Sequence, residues 1–204
     1  MLDPKILRLV AITDGAEDQR STLVERVAAA VRGGATSVQV RLKGATAREV
    51  VEIARAIVRT VPVPVIVNDR ADIAMAAGAA GVHLGETDLP VSAIRRFVPE
   101  NFIIGASLGG DAELANARDA DYVGIGPLFA TESKGDAGKA IGIEGFRKLA
   151  ELSGRPAVAV GGLSAERAVQ VMAAGAAGIA VVNAIFRAPD PESAARAIAG
   201  AIGM

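Results

Sequence analysis

The residues that could carry out chemistry lie where short apolar runs end. Gln39, Arg41 and Lys43 alternate along the end of the second such run, so a strand there would direct all three side chains to one face. Two cations on one face need an anion, and arginine offers a two-pronged donor to phosphate oxygens while lysine offers a point charge. The pattern predicts an anion site, the alternative being a solvated strand end with ion pairs.

Acidic residues follow the next two runs. Asn68 and Asp69 end the third run, and Asp88 comes shortly after the fourth. Two carboxylates converging beside two cations suit Mg²⁺ bound together with a polyphosphate. Asp88 precedes Leu89-Pro90 and would also fit a helix cap or a first-turn acid, as would Asp72. Asp69 is harder to explain by a structural role.

A second group of residues suits a phosphate monoester. Gly161-Gly162 follow the seventh run and Val182-Asn183 the eighth. Glycines allow the backbone to approach a ligand closely, and backbone N–H groups in such turns are common phosphate donors. The longest loop, residues 126–138, is rich in glycine and carries Thr131, Ser133 and Lys134. It is typical of a loop that closes over phosphate, the alternative being a plain surface loop.

The composition excludes several other kinds of site. The chain has 204 residues, no Cys and one His. Cys nucleophiles, Cys-bound metals and disulfides are therefore excluded, and a metal site would have to be built from carboxylates. The single histidine, His83, lies within an apolar run, and we interpret it as a hydrogen-bonded structural residue rather than a catalytic one.

The charge balance and hydropathy bear on partners and location. Lys plus Arg number 22 and Asp plus Glu 23, for a net charge of −1, which argues against binding nucleic acid through a broadly basic surface. No apolar run approaches the roughly 18 residues of a membrane span, and the N-terminus lacks a signal-peptide pattern. We expect a cytoplasmic protein that acts on small molecules, without a membrane partner and with a homo-oligomer possible.

The elements that must position these residues alternate regularly. Apolar runs cover residues 7–13, 37–41, 63–68, 81–84, 102–107, 122–125, 157–160 and 179–182. Most are apolar at successive positions, as strands buried on both faces are. Between them lie segments with helical spacing, such as residues 21–32 and 46–60.

Strand followed by helix, repeated eight times, predicts an α/β fold with a parallel sheet. We expect a single (β/α)8 TIM barrel over residues 1–204, in which function lies at the carboxyl ends of the strands. The sequence MAAGAAG occurs at residues 75–81 and again at 172–178, as two half-barrels would place it. An open doubly wound sheet is the alternative, but the first strand lacks a GxGxxG loop.

As a set, these segments resemble the thiamine phosphate synthase family over about residues 12–185. The resemblance is carried by VQVRLK, VNDRAD, GVHLGETDLP, IIGAS, YVGIGPLFATESK, AVGGLS and AVVNAI, in that order. It implies a transferase of thiamine biosynthesis that joins hydroxymethylpyrimidine diphosphate to thiazole phosphate. In that family Mg²⁺ assists loss of pyrophosphate, and the thiazole nitrogen captures the resulting pyrimidine-methyl cation.

The resemblance also implies roles for individual residues. Asp69 and Asp88 would hold Mg²⁺. The leaving pyrophosphate would be bound by Arg41, Lys43, Asn68 and Lys134. The pyrimidine would contact Gln39 and Ser107, and the thiazole phosphate Thr131, Ser133, Gly162, Val182 and Asn183. Of these, Arg41, Lys43, Ser107 and Lys134 are expected to act in the chemical step.

The sequence departs from the family pattern at four positions. It has Val10 where Tyr is usual, Leu42 where Glu is usual, Glu86 in place of Gln, and Asn183 in place of Ser. Three other activities remain as alternatives. A related thiazole tautomerase is disfavoured because Gly109-Gly110 stand where it has a His. A sugar-phosphate isomerase or aldolase would need a Schiff-base lysine, and a barrel that binds thiazole phosphate without turnover is the third.

Overall fold

The chain closes into a parallel β-barrel. A computed structural model describes residues 2–13, 17–130 and 139–204. Within them eight parallel strands pair in sequence order, and the last pairs with the first through Leu9 and Ile179. The strands are β1 Leu9–Ile12, β2 Ser37–Val40, β3 Val65–Asn68, β4 Gly81–Leu84, β5 Ile103–Leu108, β6 Tyr122–Ile125, β7 Ala157–Val160 and β8 Gly178–Val181. The predicted (β/α)8 barrel is confirmed, and the open-sheet alternative is wrong.

Helices connect the strands on the outside of the barrel. They are α1 Leu23–Arg32, α2 Ala47–Thr60, α3 Ala71–Ala77, α4 Val91–Ile94, α5 Leu114–Ala117, α6 Gly142–Ser153, α7 Ala165–Ala173, α8 Asn183–Phe186 and α9 Pro191–Ala201. Short 3-10 segments cover Pro4–Leu7, Glu17–Thr22 and Asp111–Glu113. Across the described ranges, no helix has both the length and the apolar character needed to cross a membrane.

Local sequence signals explain where elements begin. Thr46 and Glu49 form the reciprocal capping box at the start of α2, which satisfies backbone N–H groups that the helix leaves open. The first strand was predicted to begin at residue 7, but it begins at Leu9. The preceding residues form a 3-10 turn, Pro4–Leu7, which is capped by Asp3. A proline at the first position of that turn favours the helical backbone over the extended one.

The core has two layers, which follow from alternation along each strand. Inside the barrel, Val10, Ile12, Tyr122, Val158 and Ala180 form one buried cluster. The intervening strand residues pack outward against the helices in a larger cluster. The interior cluster is small. Beyond it lies the rim of the barrel at the carboxyl ends of the strands, here called the mouth, which carries the polar side chains near the ends of β2 to β5.

The two copies of MAAGAAG occupy corresponding places in the two halves. Each joins a helix to the next strand, and its last glycine, Gly81 or Gly178, is the first residue of β4 or β8. A Cβ atom at Gly81 would overlap the carbonyl of Ile103, and one at Gly178 would overlap the carbonyl of Leu7. Both glycines therefore permit close packing between neighbouring backbones.

This packing predicts opposite effects for two glycine substitutions. Gly178→Ala should lower the free energy of unfolding by about 1–3 kcal/mol, because the added methyl forces the backbone of β8 away from residues 7 and 8. Gly200→Ala is the matched control: it lies in α9 with no neighbouring atom within 4 Å of the added Cβ. It should raise stability by about 0.5–1 kcal/mol. Urea denaturation of both variants would contradict the packing if Gly178→Ala proved as stable as the parent.

Candidate active site at the carboxyl ends of the strands

A chain of amide hydrogen bonds crosses the mouth from β2 to β3. The Gln39 side chain is buried, and its Nε2 donates to Oδ1 of Asn68 over 2.6 Å. The Asn68 Nδ2 in turn donates to Oδ1 of Asp69. Each amide thereby sets the orientation of the next group. The structure thus brings three of the predicted site residues into one network.

Asp69 occupies an unusual backbone conformation. Its φ is +66°, the only positive value among the described residues other than glycine. The N–H of Arg70 donates to the carbonyl of Asn68 over 2.8 Å, and the N–H of Asp69 donates to the carbonyl of His83 over 2.8 Å. A three-residue turn of this kind is rare and strained, and such conformations concentrate at functional sites. The turn presents the Asp69 carboxylate at the mouth.

Asp88 approaches Asp69 from the loop after β4. Its Oδ2 accepts a hydrogen bond from the N–H of Gly85 over 2.6 Å, so Asp88 closes that loop, while Pro90 occupies the cap position of α4. Burial raises the pKa of Asp69, and the charge of Asp88 and a hydrogen bond to it raise it further. Asn68 and Arg41 act in the opposite direction without cancelling the effect.

Two carboxylates that repel each other form a natural place for a cation. Oxygen ligands of this kind suit Mg²⁺, which commonly binds through one or two carboxylates plus substrate phosphates. Across the described ranges, this site included, no group of three or more His, Cys, Asp or Glu side chains is placed to hold a metal ion. A metal held by Asp69 and Asp88 would therefore need its remaining ligands from substrate and water.

Two cationic side chains share a cleft with Asn68 and Asp69. Arg41 and Lys43 line it together with these two residues, and its volume is about 190 Å³. The buried Thr13 hydroxyl accepts from the Arg41 N–H over 2.8 Å and donates to the Arg41 carbonyl over 2.9 Å, which anchors the backbone where Arg41 leaves β2. Arg41 and Lys43, two of the predicted anion residues, thus share one cleft with the Asp69 carboxylate.

The turns after β7 and β8 form the second region of the mouth. Gly161 and Gly162 have φ values of +99° and +64°. A Cβ at Gly162 would lie 2.7 Å from the carbonyl oxygen of Ala130, so both glycines are required by the packing. Asn183 begins α8 beside Val182, and its Oδ1 is buried with no hydrogen-bond partner in the part of the chain that the structure describes.

The loop after β6 starts and ends against this second region. The Ile141 N–H donates to the carbonyl of Pro127, and the Gly142 N–H to the carbonyl of Leu128, each over 3.0 Å. Residues 131–138 between these anchors lie outside the described residues, and they include the predicted Thr131, Ser133 and Lys134.

A third network lies beneath the mouth, across β4 to β6. His83 Nδ1 lies 3.1 Å from the Tyr122 hydroxyl, and its Nε2 lies 3.2 Å from the Ser107 hydroxyl. The prediction that His83 is hydrogen-bonded is therefore confirmed. Ser107, predicted to contact a ligand, sits at the upper end of this network and remains half-buried.

Two of the four departures from the family pattern pack into apolar clusters, and one of them, Leu42, also lines the cleft beside Arg41 and Lys43. Val10 belongs to the barrel interior. The Leu42 side chain is buried in the layer between strands and helices. Glu86 is exposed on the loop after β4.

Three residues that support the mouth were not identified from the sequence. Thr13 anchors Arg41, and Tyr122 contacts His83, as described above. Arg167 donates to the carbonyl of Gly162 over 2.6 Å, and its guanidinium carbon lies 4.5 Å from the centre of the Phe129 ring. Only Tyr122 had a sequence signal: it is the one tyrosine of the chain and stands in a strand of otherwise small or aliphatic residues.

Comparisons with known proteins point to one family. Residues 9–185 match the family model described as thiamine monophosphate synthase. A thiamine-phosphate synthase from Azorhizobium caulinodans is 48% identical, covering 97% of this chain and 96% of the relative. One from Moorella thermoacetica is 44% identical, covering 92% and 91%. The solved thiamine phosphate pyrophosphorylase from Pyrococcus furiosus has a TM-score of 0.85 at 36% identity, covering 98% and 96%.

The electrostatics of the carboxylate pair predict that removing the charge of Asp69 stabilises the metal-free protein. A raised pKa means that folding favours protonated Asp69, so the ionised group destabilises the fold at pH values above that pKa. In EDTA at neutral pH, Asp69→Asn should therefore unfold at a higher temperature than the parent. The difference should disappear as the pH falls below the ordinary aspartate pKa, where both forms are neutral.

Asp72→Asn is the matched control. Its carboxylate pairs with Arg70, which lowers the pKa of Asp72. The ionised form of Asp72 thus slightly stabilises the fold at neutral pH, and its amide variant should unfold at a slightly lower temperature, because exposed pairs contribute little. Thermal unfolding in which Asp69→Asn also lost stability would contradict the like-charge assignment.

Proposed function

Because the chain belongs to the thiamine monophosphate synthase family, we propose that its barrel mouth joins hydroxymethylpyrimidine diphosphate to thiazole phosphate, giving thiamine phosphate and pyrophosphate. The chain is a transferase with thiamine-phosphate synthase function. The observation that most supports these substrates is the convergence of Arg41 and Lys43 with Asp69 on one cleft. Cations beside a metal-binding carboxylate suit a diphosphate, which a single phosphate monoester would not require.

The diphosphate lies against β2 and β3 in this proposal. Arg41 donates two N–H groups to its oxygens, Lys43 contributes a positive charge, and Asn68 donates from its amide. As the carbon–oxygen bond to the pyrimidine-methyl group breaks, both electrons leave with pyrophosphate, and negative charge grows on these oxygens. Cations already in place stabilise that charge more than they stabilise the bound substrate, which lowers the barrier.

Mg²⁺ is the proposed cofactor, held by Asp69 and Asp88. When bound there, it would neutralise charge on the diphosphate oxygens. The carboxylate of Asp69 is kept in position by Asn68 and by the strained turn, and that of Asp88 by the N–H of Gly85.

The acceptor substrate lies on the opposite side of the mouth. Its phosphate accepts from backbone N–H groups in the turns at Gly162 and at Val182 and Asn183, where Arg167 steadies the carbonyl of Gly162. Gln39 and Ser107 contact the pyrimidine between the two phosphate regions. The thiazole nitrogen supplies the electron pair for the new carbon–nitrogen bond, and no proton needs to be transferred, which agrees with a chain that has one histidine.

The loop after β6 completes the site in this proposal. Thr131 and Ser133 bind the acceptor phosphate, and Lys134 binds the leaving pyrophosphate. Contacts from these residues to both phosphates would help to keep water away from a reactive cation.

Turnover with both substrates tests the function directly. Purified protein should release thiamine phosphate and pyrophosphate in equal amounts, only when Mg²⁺ is present. Asp88→Asn should lower the rate by at least about 10²-fold, while Asp72→Asn should stay within about twofold of the parent because its partner is Arg70. Tight binding of thiazole phosphate without any product would overturn the synthase proposal in favour of a binding protein, and conversion of a thiazole tautomer would favour the tautomerase.

Lys134 offers a second test, aimed at the leaving group. Lys134→Ala should slow the chemical step in single-turnover experiments by about 10²-fold, since it removes a charge that acts as negative charge develops. Lys139→Ala, five positions along the chain and exposed, should leave the rate within about twofold of the parent. Equal rates for the two variants would show that Lys134 takes no part in the reaction.

A further inference from the structure

Beneath the mouth, the barrel interior contains a polar chain of three residues, of which the proposed function uses only Ser107. It runs from the Tyr122 hydroxyl to His83 Nδ1, and from His83 Nε2 to the Ser107 hydroxyl, over distances of 3.1 and 3.2 Å. Tyr122 and His83 are buried, with relative exposures of 3% and 9%. Of these three residues, Ser107 is the half-buried one, and it lies at the end of the chain nearest the mouth.

Two interior glycines provide the space for this chain. A Cβ at Gly105 would overlap the Tyr122 ring and lie 2.6 Å from His83 Nδ1. A Cβ at Gly124 would lie 2.9 Å from His83 Cε1. A glycine within a strand weakens it unless a close approach requires one. The barrel thus leaves out two interior side chains and holds His83 and Tyr122 there instead.

The buried phenol determines where the protons lie. Burial and the nearby charge of Asp121 raise the pKa of Tyr122 above its usual range, so its hydroxyl keeps its proton. A buried O–H donor without an acceptor is costly. In the described ranges the hydroxyl has the His83 ring nitrogen as its hydrogen-bonding neighbour. The phenol therefore donates to Nδ1, which places the imidazole proton on Nε2.

From this arrangement we infer that Tyr122 and His83 are positioning residues that turn the Ser107 hydroxyl into a hydrogen-bond donor aimed at the substrate. The Nε2–H donates to the Ser107 oxygen, so the serine proton must point away from His83 and towards the mouth. There it meets an acceptor atom of the bound pyrimidine diphosphate. The identity of that ligand rests on the proposed function, whereas the proton arrangement rests on the structure of the chain itself.

The composition makes the tautomer directly measurable. The chain has one His and one Tyr, so ¹⁵N-labelled histidine gives NMR signals from His83 alone. At mildly alkaline pH, long-range ¹H–¹⁵N correlations should show the Nε2–H tautomer in the ligand-free protein. Tyr122→Phe removes the donor to Nδ1 and should shift the population towards the Nδ1–H form. An Nδ1–H or doubly protonated ring in the parent protein would overturn the inference, whether or not the variant folds.

Kinetics separate positioning from a purely structural role. Tyr122→Phe should lower kcat about tenfold, which corresponds to about 1.4 kcal/mol, with KM for both substrates changed less than about twofold. In the Ser107→Ala background, the same change should alter kcat by less than about twofold, because the hydroxyl it positions is gone. Equal losses in both backgrounds would overturn the inference.

Ser37→Ala is the matched control for loss of a buried hydroxyl. Ser37 is 2% exposed at the opposite end of the barrel, where its hydroxyl donates to the carbonyl of Ile6 over 2.8 Å. It should cost stability and leave kcat unchanged. Failure of the parent protein to form thiamine phosphate would overturn the proposed function only, since the tautomer is read without substrate. An active parent with an unchanged tautomer in Tyr122→Phe would overturn only the present inference.

Discussion

Closure of eight short parallel strands into one barrel is the constraint on which the rest of the structure depends. Parallel strands in a closed barrel all end at the same rim, so residues from β2 and from the turn after β8 share one mouth although about 140 positions separate them. Closure also makes interior volume scarce. Gly81 and Gly178 allow backbones to approach, and the absence of side chains at Gly105 and Gly124 leaves room for larger neighbouring side chains. The closed barrel therefore both packs the interior and assembles the site.

The mouth holds charges in an arrangement that is costly without a ligand. Asp69 lies in a strained turn, near the like charge of Asp88, with Arg41 only partly offsetting the repulsion. Hydrogen bonds from Asn68 and from the N–H of Gly85 hold the two carboxylates in place. In the proposed function, a site preorganised in this way would take up a metal and a diphosphate without rearranging, and preorganised charge is a large contribution to catalysis in polar reactions.

Much of the fold and part of the site could be predicted from the sequence. Unbroken apolar runs indicated strands buried on both faces, and the alternation of Gln39 and Arg41 placed them together at a strand end. Thr13 could not be assigned to the site, because its contact with the Arg41 backbone exists only once β1 and β2 pair. Arg167 on α7 likewise contacts the ring of Phe129, and no local sequence pattern indicates this contact.

The sequence by itself determined the order of elements, the chemical types at each strand end and the absence of cysteine chemistry, because these depend on local periodicity and composition. The tertiary structure decided which groups meet. It brought Asp88 beside Asp69 and placed His83 between Tyr122 and Ser107. A shifted pKa and a hydrogen-bonded chain arise from distances between residues far apart in the chain, and the pairing of neighbouring strands in the barrel determines those distances.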